Sequence, residues 1–172
     1  VSAVLTTLNL SKNNLANFGE DMSGVQALAE AVKVSAVLTS LDVGDNKLKE
    51  EAALTIVRAA RQHDRMTSLD FRECGIGPTG AKEIAEYVSV SAVLKELNLR
   101  GNNLGPEGSK ALAKGLKVNA VLTTLNLSGN ELGTEGGKAL AKALEVNAVL
   151  TRLDLQVNRL DGEVKDLSLI HI

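Results

Sequence analysis

The stretch that decides the fold is Leu94-Lys95-Glu96-Leu97-Asn98-Leu99-Arg100-Gly101-Asn102-Asn103-Leu104, with Gly105-Pro106-Glu107 directly after it. Leu97 and Leu99 alternate with Glu96, Asn98 and Arg100, the period-two signature of a half-buried strand. Asn102 follows where the strand turns away. Pro106 then suits a first helical turn, and Glu107 complements the positive end of the helix dipole. The spacing predicts a helix to about Lys117, which places a cation in the last turn. The unit is strand, turn, helix, return.

Moving outward, the pattern L-x-x-L-x-L-x-x-N-x-L occurs six times. It begins at Leu5-Leu8-Leu10-Asn13-Leu15, Leu38-Leu41-Val43-Asn46-Leu48 and Met66-Leu69-Phe71-Cys74-Ile76. It continues at Leu94-Leu97-Leu99-Asn102-Leu104, Leu122-Leu125-Leu127-Asn130-Leu132 and Leu150-Leu153-Leu155-Asn158-Leu160. The steps between first positions are 33, 28, 28, 28 and 28 residues. A fixed period of this length predicts a solenoid in which each unit buries its apolar face only against its neighbours.

Three columns emerge when the helices are aligned. Gly24, Ala52, Gly80, Gly108 and Gly136 form a small one, while Leu28, Ile56, Ile84, Leu112 and Leu140 form a long aliphatic one. The third is Val32, Ala60, Val88, Leu116 and Leu144. The small column lets backbones approach; the other two fill the space behind the sheet. Parallel strands stack at roughly 4.8 Å, whereas packed helices need about 8–10 Å between axes. Joining the layers one-to-one forces an arc, an α/β horseshoe with strands on the concave face and helices on the convex face.

Asn13, Asn46, Asn102, Asn130 and Asn158, with Cys74 in the third repeat, occupy the turn after each strand. A side-chain amide offers both donors and an acceptor, so a stacked ladder satisfies turns on either side. Losing a rung is expected to cost on the order of 1–3 kcal/mol. A compact thiol at Cys74 packs into the same column, and a structural role outweighs a reactive one.

Repeats of 28 with this strand consensus, followed by G-x-E-G-x-x-x-L-A-x-x-L, resemble the ribonuclease-inhibitor class of leucine-rich repeats over residues 1 to about 160. The pattern is similar to the repeat regions of NOD-like receptors and of the Ran GTPase-activating protein. The resemblance implies protein binding through the inner strand face and adjoining loops, in a mostly intracellular class. It carries over no functional residue. Receptors of that kind are defined by a nucleotide-binding module, and no G-x-x-x-x-G-K-[ST] loop occurs here; the GTPase activators carry an acidic tail, which this chain does not show.

The composition narrows the function classes. The chain has 172 residues, 44% hydrophobic but only 2% aromatic, and a net charge of −2 with both signs interspersed. That leaves no basic footprint for nucleic acid and no run of apolar residues long enough for a bilayer. The single cysteine excludes an internal disulfide and points to a cytoplasmic setting. The sequons at Asn9-Leu10-Ser11 and Asn126-Leu127-Ser128 fall inside the strand consensus. No catalytic set converges, no metal-ligand spacing is present around His63, and no cofactor loop is found, so the expectation is a non-catalytic module without cofactor or metal.

Both ends look cut. Val1 begins inside a repeat, and Leu167-Ser168-Leu169-Ile170-His171-Ile172 resembles a translated sequencing-library adaptor. The expected organisation is a six-repeat array over residues 1–166 and a non-native tail over 167–172, and the fragment is expected to be a monomer.

The residues facing the inner rim follow by parity: Thr7-Asn9-Ser11, Ser40-Asp42-Gly44, Ser68-Asp70-Arg72, Glu96-Asn98-Arg100, Thr124-Asn126-Ser128 and Arg152-Asp154-Gln156. The middle column is Asn or Asp in every repeat, which serves either a structural ladder or a partner. Arg72, Glu73, Glu96 and Arg100 form the densest charged cluster on strands three and four. With Asp70, Asn98 and Arg152 they are the candidate partner-binding residues, arginine being favoured for its paired hydrogen bonds. The competing reading is that these charges pair with one another on a solvated surface, where each pair contributes roughly 0–1 kcal/mol. The partner is expected to be another protein; the alternative role is a fragment of a GTPase regulator acting on a small GTPase. Two irregularities stand out. Gln62-His63-Asp64-Arg65 replaces the V-x-A-V connector seen elsewhere, and five extra residues fall near Ala16-Asn17-Phe18-Gly19-Glu20-Asp21.

Overall fold

The computed structural model describes residues 4–161. The proposed tail at 167–172 and the edges of the proposed repeat array at 1–3 and 162–166 lie outside the described residues. Six three-residue strands alternate with five helices. The strands are β1 (Thr7–Asn9), β2 (Ser40–Asp42), β3 (Ser68–Asp70), β4 (Glu96–Asn98), β5 (Thr124–Asn126) and β6 (Arg152–Asp154). The helices are α1 (Ser23–Val34), α2 (Glu50–Arg61), α3 (Pro78–Val90), α4 (Gly105–Val118) and α5 (Gly133–Leu144).

All strands are parallel and lie in sequence order, with Leu8, Leu41, Leu69, Leu97, Leu125 and Leu153 in register. This is the expected solenoid, strands on the inner face and helices on the outer. The core lies between the layers: Leu41, Leu69, Leu97 and Leu125 are buried from the sheet side, and Ile56, Ile84, Leu112 and Leu140 from the helix side. Phe71 is fully buried in it, and Tyr87 is the core's other aromatic ring.

The small column is a contact requirement. A Cβ on Gly108 would come within 2.7 Å of Ala81 Cβ, and one on Gly136 within 2.8 Å of Ser109 Cβ. Adjacent helices therefore nearly touch at their first turns, and larger side chains would force the repeats apart. At the start of α3 another device operates. Glu50 Oε2 accepts the Gly77 and Gly80 N–H groups at 2.7 and 3.0 Å, so a side chain from one repeat caps the next repeat's helix. The extra residues of the first repeat form a 3-10 turn, Asn17–Gly19.

The asparagine ladder works across repeats. Asn102 Oδ1 accepts the Cys74 and Ile76 N–H groups of the preceding turn at 3.2 and 2.9 Å. Its Nδ2 donates to Phe71 O and Leu99 O, both at 2.9 Å. Asn46 makes the same set to the first turn, and Asn158 to the fifth. Asn13, at the edge, is exposed and reaches Ser11 O in its own turn. The rung at Asn130 is incomplete. Its Nδ2 donates to Leu99 O and Leu127 O, but its buried Oδ1 has no partner. The facing turn differs: Asn14, Lys47, Gly75, Glu131 and Arg159 have positive φ, Asn103 does not, and Asn103 N–H donates to Ile76 O instead.

A second ladder runs along the return connectors, at the polar residue that follows the helix-end valine. Asn119 Oδ1 accepts Val121 and Leu122 N–H while its Nδ2 donates to Val88 O. Asn147 repeats this with Val149, Leu150 and Leu116, and the Ser35 and Ser91 hydroxyls accept the corresponding N–H groups. His63 is the rung of the irregular connector. Buried, its Nε2 lies 2.7 Å from Ser35 O and its Nδ1 3.2 Å from Arg65 N. A carbonyl on one side and an N–H on the other assign the neutral Nε2–H tautomer. The connector that breaks the sequence rule thus keeps its hydrogen bonding with an imidazole in place of an amide.

Candidate partner-binding face

The inner face begins from how each strand ends. In every repeat the Asn or Asp of the middle column accepts the backbone N–H two residues on, at 2.9–3.1 Å. Asn9, Asp42, Asp70, Asn98, Asn126 and Asp154 all do so. These are Asx turns, which take one N–H per repeat out of the ladder. Bonds such as Leu99 N–H to Asn126 O and Gly101 N–H to Ser128 O, both 2.9 Å, still join adjacent repeats past the strand. The uniformity of that column therefore has a local structural cause. The second side-chain atom of each residue remains for other work.

Arg72 uses those second atoms. It lies toward β2, where Nη1 is 3.3 Å from Asp42 Oδ2 and Nε is 3.0 Å from Asp45 Oδ2, and it also pairs with Asp70. Asn98 Nδ2 joins by donating to Asp70 Oδ2 at 2.9 Å. The members are 21–30% exposed, so the network is half sunk into the surface. Burial disfavours the Arg72 cation, but Asp70 and Asp42, with the hydrogen bonds to Asp45 and Asp70, outweigh it and raise its pKa. Gly44 is what admits the side chain, because a Cβ there would sit 2.7 Å from Arg72 Cγ.

The charged cluster is therefore centred on β2 and β3, one repeat earlier than the spacing predicts, and Asp42 and Asp45 are members that sequence reasoning missed. The available signal is a glycine at the arginine's column in the preceding repeat, flanked by aspartates. The other candidate residues separate from this network. Glu73 packs over the bare Cα of Gly101, and among the described residues Glu96 accepts from Ser68 Oγ alone, at 3.3 Å. Glu73, Arg100 and Arg152 are exposed, with no ion pair within 4 Å among the described residues. Glu96 and Arg152 flank a shallow depression of about 260 Å³ that also takes in Asp70, Asn98, Asn126 and Asp154.

Cys74 belongs to the ladder. It is fully buried, its Sγ lies 3.4 Å from the carbonyls of Val43 and Arg72, and burial pushes the thiol up to about 12. A neutral, inaccessible thiol is no nucleophile. Among the described residues no group of three or more His, Cys, Asp or Glu side chains is placed to hold a metal ion. No helix among them is long and apolar enough to cross a membrane.

Comparison with solved structures returns the same architecture. The tropomodulin C-terminal domain from Caenorhabditis elegans superimposes with a TM-score of 0.71 at 17% identity, covering 84% of this chain and 89% of that one. The structure titled leiomodin-1 actin-binding site 2 gives 0.73 at 20% identity, covering 83% and 84%. At these identities the likeness concerns the fold. No curated protein matches the chain in sequence. The family profile described as Leucine Rich repeat, however, matches residues 1–19, 66–85, 90–113 and 118–141, just over half of the chain. With six in-register strands and their asparagine ladder behind it, the chain belongs to the leucine-rich repeat family.

Proposed function

We propose that this chain is a non-catalytic protein-recognition module that binds its partner on the inner strand face. The observation that carries this reading is the state of Glu96, Arg100 and Arg152. They are exposed at β4, just after it and at β6, with β5 between them, held at fixed spacing by the parallel sheet and free of ion pairs among the described residues. Preordered charges of both signs cost little to organise on binding and confer selectivity through complementary charge. Asp70, Arg72 and Asn98 hold the surface in shape beside them, and Glu73 extends the accessible set along the turn. A cytoplasmic setting fits the reduced, buried Cys74.

The test is affinity capture from a cytosolic extract with the wild-type chain and with an Arg100→Glu/Arg152→Glu double variant. A discrete partner retained by the first and lost by the second supports the reading; equal capture by both sinks it. A second reading, actin as the partner, is favoured by the fold shared with leiomodin-1 actin-binding site 2. Co-sedimentation with actin filaments and pull-down of monomeric actin test it directly. The GTPase-regulator alternative draws no support from the two similar structures.

A further inference from the structure

The outer helix face carries a groove of about 700 Å³ running across α3, α4 and α5. Its floor is made of very small residues, Ala85, Ala111, Gly115 and Ala139. Gly115 lets α4 press against α3, since a Cβ there would stand 2.7 Å from Ala85 O. The rim is cationic: Lys82, Lys114, Lys117 and Lys142 line the groove, all exposed, and none has a carboxylate within 4 Å among the described residues. The two glutamates on the same rim are already occupied, Glu86 by Arg61 at 3.7 Å and Glu107 by Lys110 at 2.8 Å. The cations of α2 behave differently, Arg58 bridging Glu51 and Glu83 at 2.9 and 2.7 Å. Five lysines against two glutamates in the lining therefore leave the groove with a local excess of positive charge.

We propose that this groove docks an acidic polypeptide segment of a partner, whose carboxylates meet the lysine rim while its backbone lies on the alanine–glycine floor. The chemistry favours this occupant over others. Lysine ammonium groups are mobile point charges that suit carboxylates spread along a chain, and the groove contains no arginine to fork onto phosphates. It also presents no Trp, Phe or Leu to enter a lipid layer. The small floor leaves the room a main chain requires, while long side chains on either side supply apolar stems as walls. The site lies on the opposite layer from the inner strand face, so it adds to the proposed function and does not depend on it.

The experiment measures binding of a fluorescein-labelled glutamate-rich peptide of about four helical turns by fluorescence anisotropy, with the glutamine version of the peptide as control. Binding of the glutamate peptide alone, weakened about tenfold or more by Lys114→Glu/Lys142→Glu and unchanged by Arg100→Glu on the strand face, is the expected result. Ala111→Leu, which fills the floor without altering charge, is expected to weaken binding as well and separates a groove from diffuse attraction. Thermal unfolding of each variant confirms that it is folded. The proposal is overturned if the peptide does not bind at low salt or if the lysine reversal has no effect. Indifference to Ala111→Leu overturns it too, as does tighter binding of phosphatidylserine vesicles or duplex DNA than of the peptide. Self-association through the same lysines would assign the groove to a second copy and equally overturn it.

Discussion

The two faces of this solenoid treat charge in opposite ways. On the strand face Arg72 is drawn down among Asp42, Asp45 and Asp70, so a cation that looks available in the sequence is spent inside the surface. Across α3–α5 on the helix face, Lys82, Lys114, Lys117 and Lys142 have no carboxylate within 4 Å among the described residues. The difference arises from spacing. Neighbouring strands bring successive side chains within about 5 Å, close enough for a short aspartate to reach its neighbour's arginine. Helices pack about twice as far apart, and only a long pair such as Arg58 and Glu83 spans that distance. The Arg72 cluster therefore neutralises itself, while these four lysines lining the α3–α5 groove stay apart from carboxylates.

The largest effect should come from the layer on which both faces rest. Asn102→Leu orphans the buried Cys74 and Ile76 N–H groups and the Phe71 carbonyl, and should lower stability by about 3 kcal/mol or more in urea unfolding. Asn13→Ala, at the exposed edge, should change it by less than about 0.5 kcal/mol. If the two cost the same, the ladder is not a cross-repeat device.

The faces themselves are compared by matched truncations. Arg72→Met leaves three half-buried carboxylates facing one another and should cost about 1–3 kcal/mol, between the values for exposed and fully buried pairs. Lys114→Met should stay within about 0.5 kcal/mol. Equal costs in chemical denaturation would erase the distinction drawn above.

A smaller effect of opposite sign is expected at Val157. It is a β-branched residue at φ 57°, 85% exposed, in the column that Gly101 and Gly129 fill in the preceding repeats. Val157→Gly should stabilise by about 1 kcal/mol, read as a raised thermal midpoint. A lowered midpoint would mean that the side chain makes contacts outweighing the strain.

The smallest effect concerns pH on the helix face. Hydrogen bonds from Arg58 hold the Glu83 carboxyl below its ordinary value of 4.5. A depressed folded-state pKa contributes stability above the unfolded value and loses it as pH falls through the folded one. Acid titration below about pH 4.5 should therefore cost the wild type up to about 1 kcal/mol more than Arg58→Gln, the screened value of an exposed pair. Parallel acid unfolding curves would show that the pair contributes nothing.

Much of the fold was legible because it is local and repeated. The period, the alternation Leu97–Leu99 and the small column Gly80, Gly108, Gly136 each predict their neighbours' packing without reference to distant residues. The candidate site was legible only in part. Parity identified which residues line the inner face, and Glu96, Arg100 and Arg152 stand open there. It also grouped Arg72 with Glu73 and Glu96, whereas the side chain turns the other way, into space that Gly44 leaves. The connector ladder went unread because its rungs are Ser35, His63, Ser91, Asn119 and Asn147, three chemistries serving one geometric purpose.

The sequence by itself determined the repeat, its length, the parallel order of the strands and which side of each strand is buried, since these follow from the periodicity of side chains along a backbone. Only the tertiary structure decided which charges cancel and which remain. That depends on the direction a side chain takes between two neighbours and on whether a missing Cβ gives it room. Sequence distance does not encode that choice.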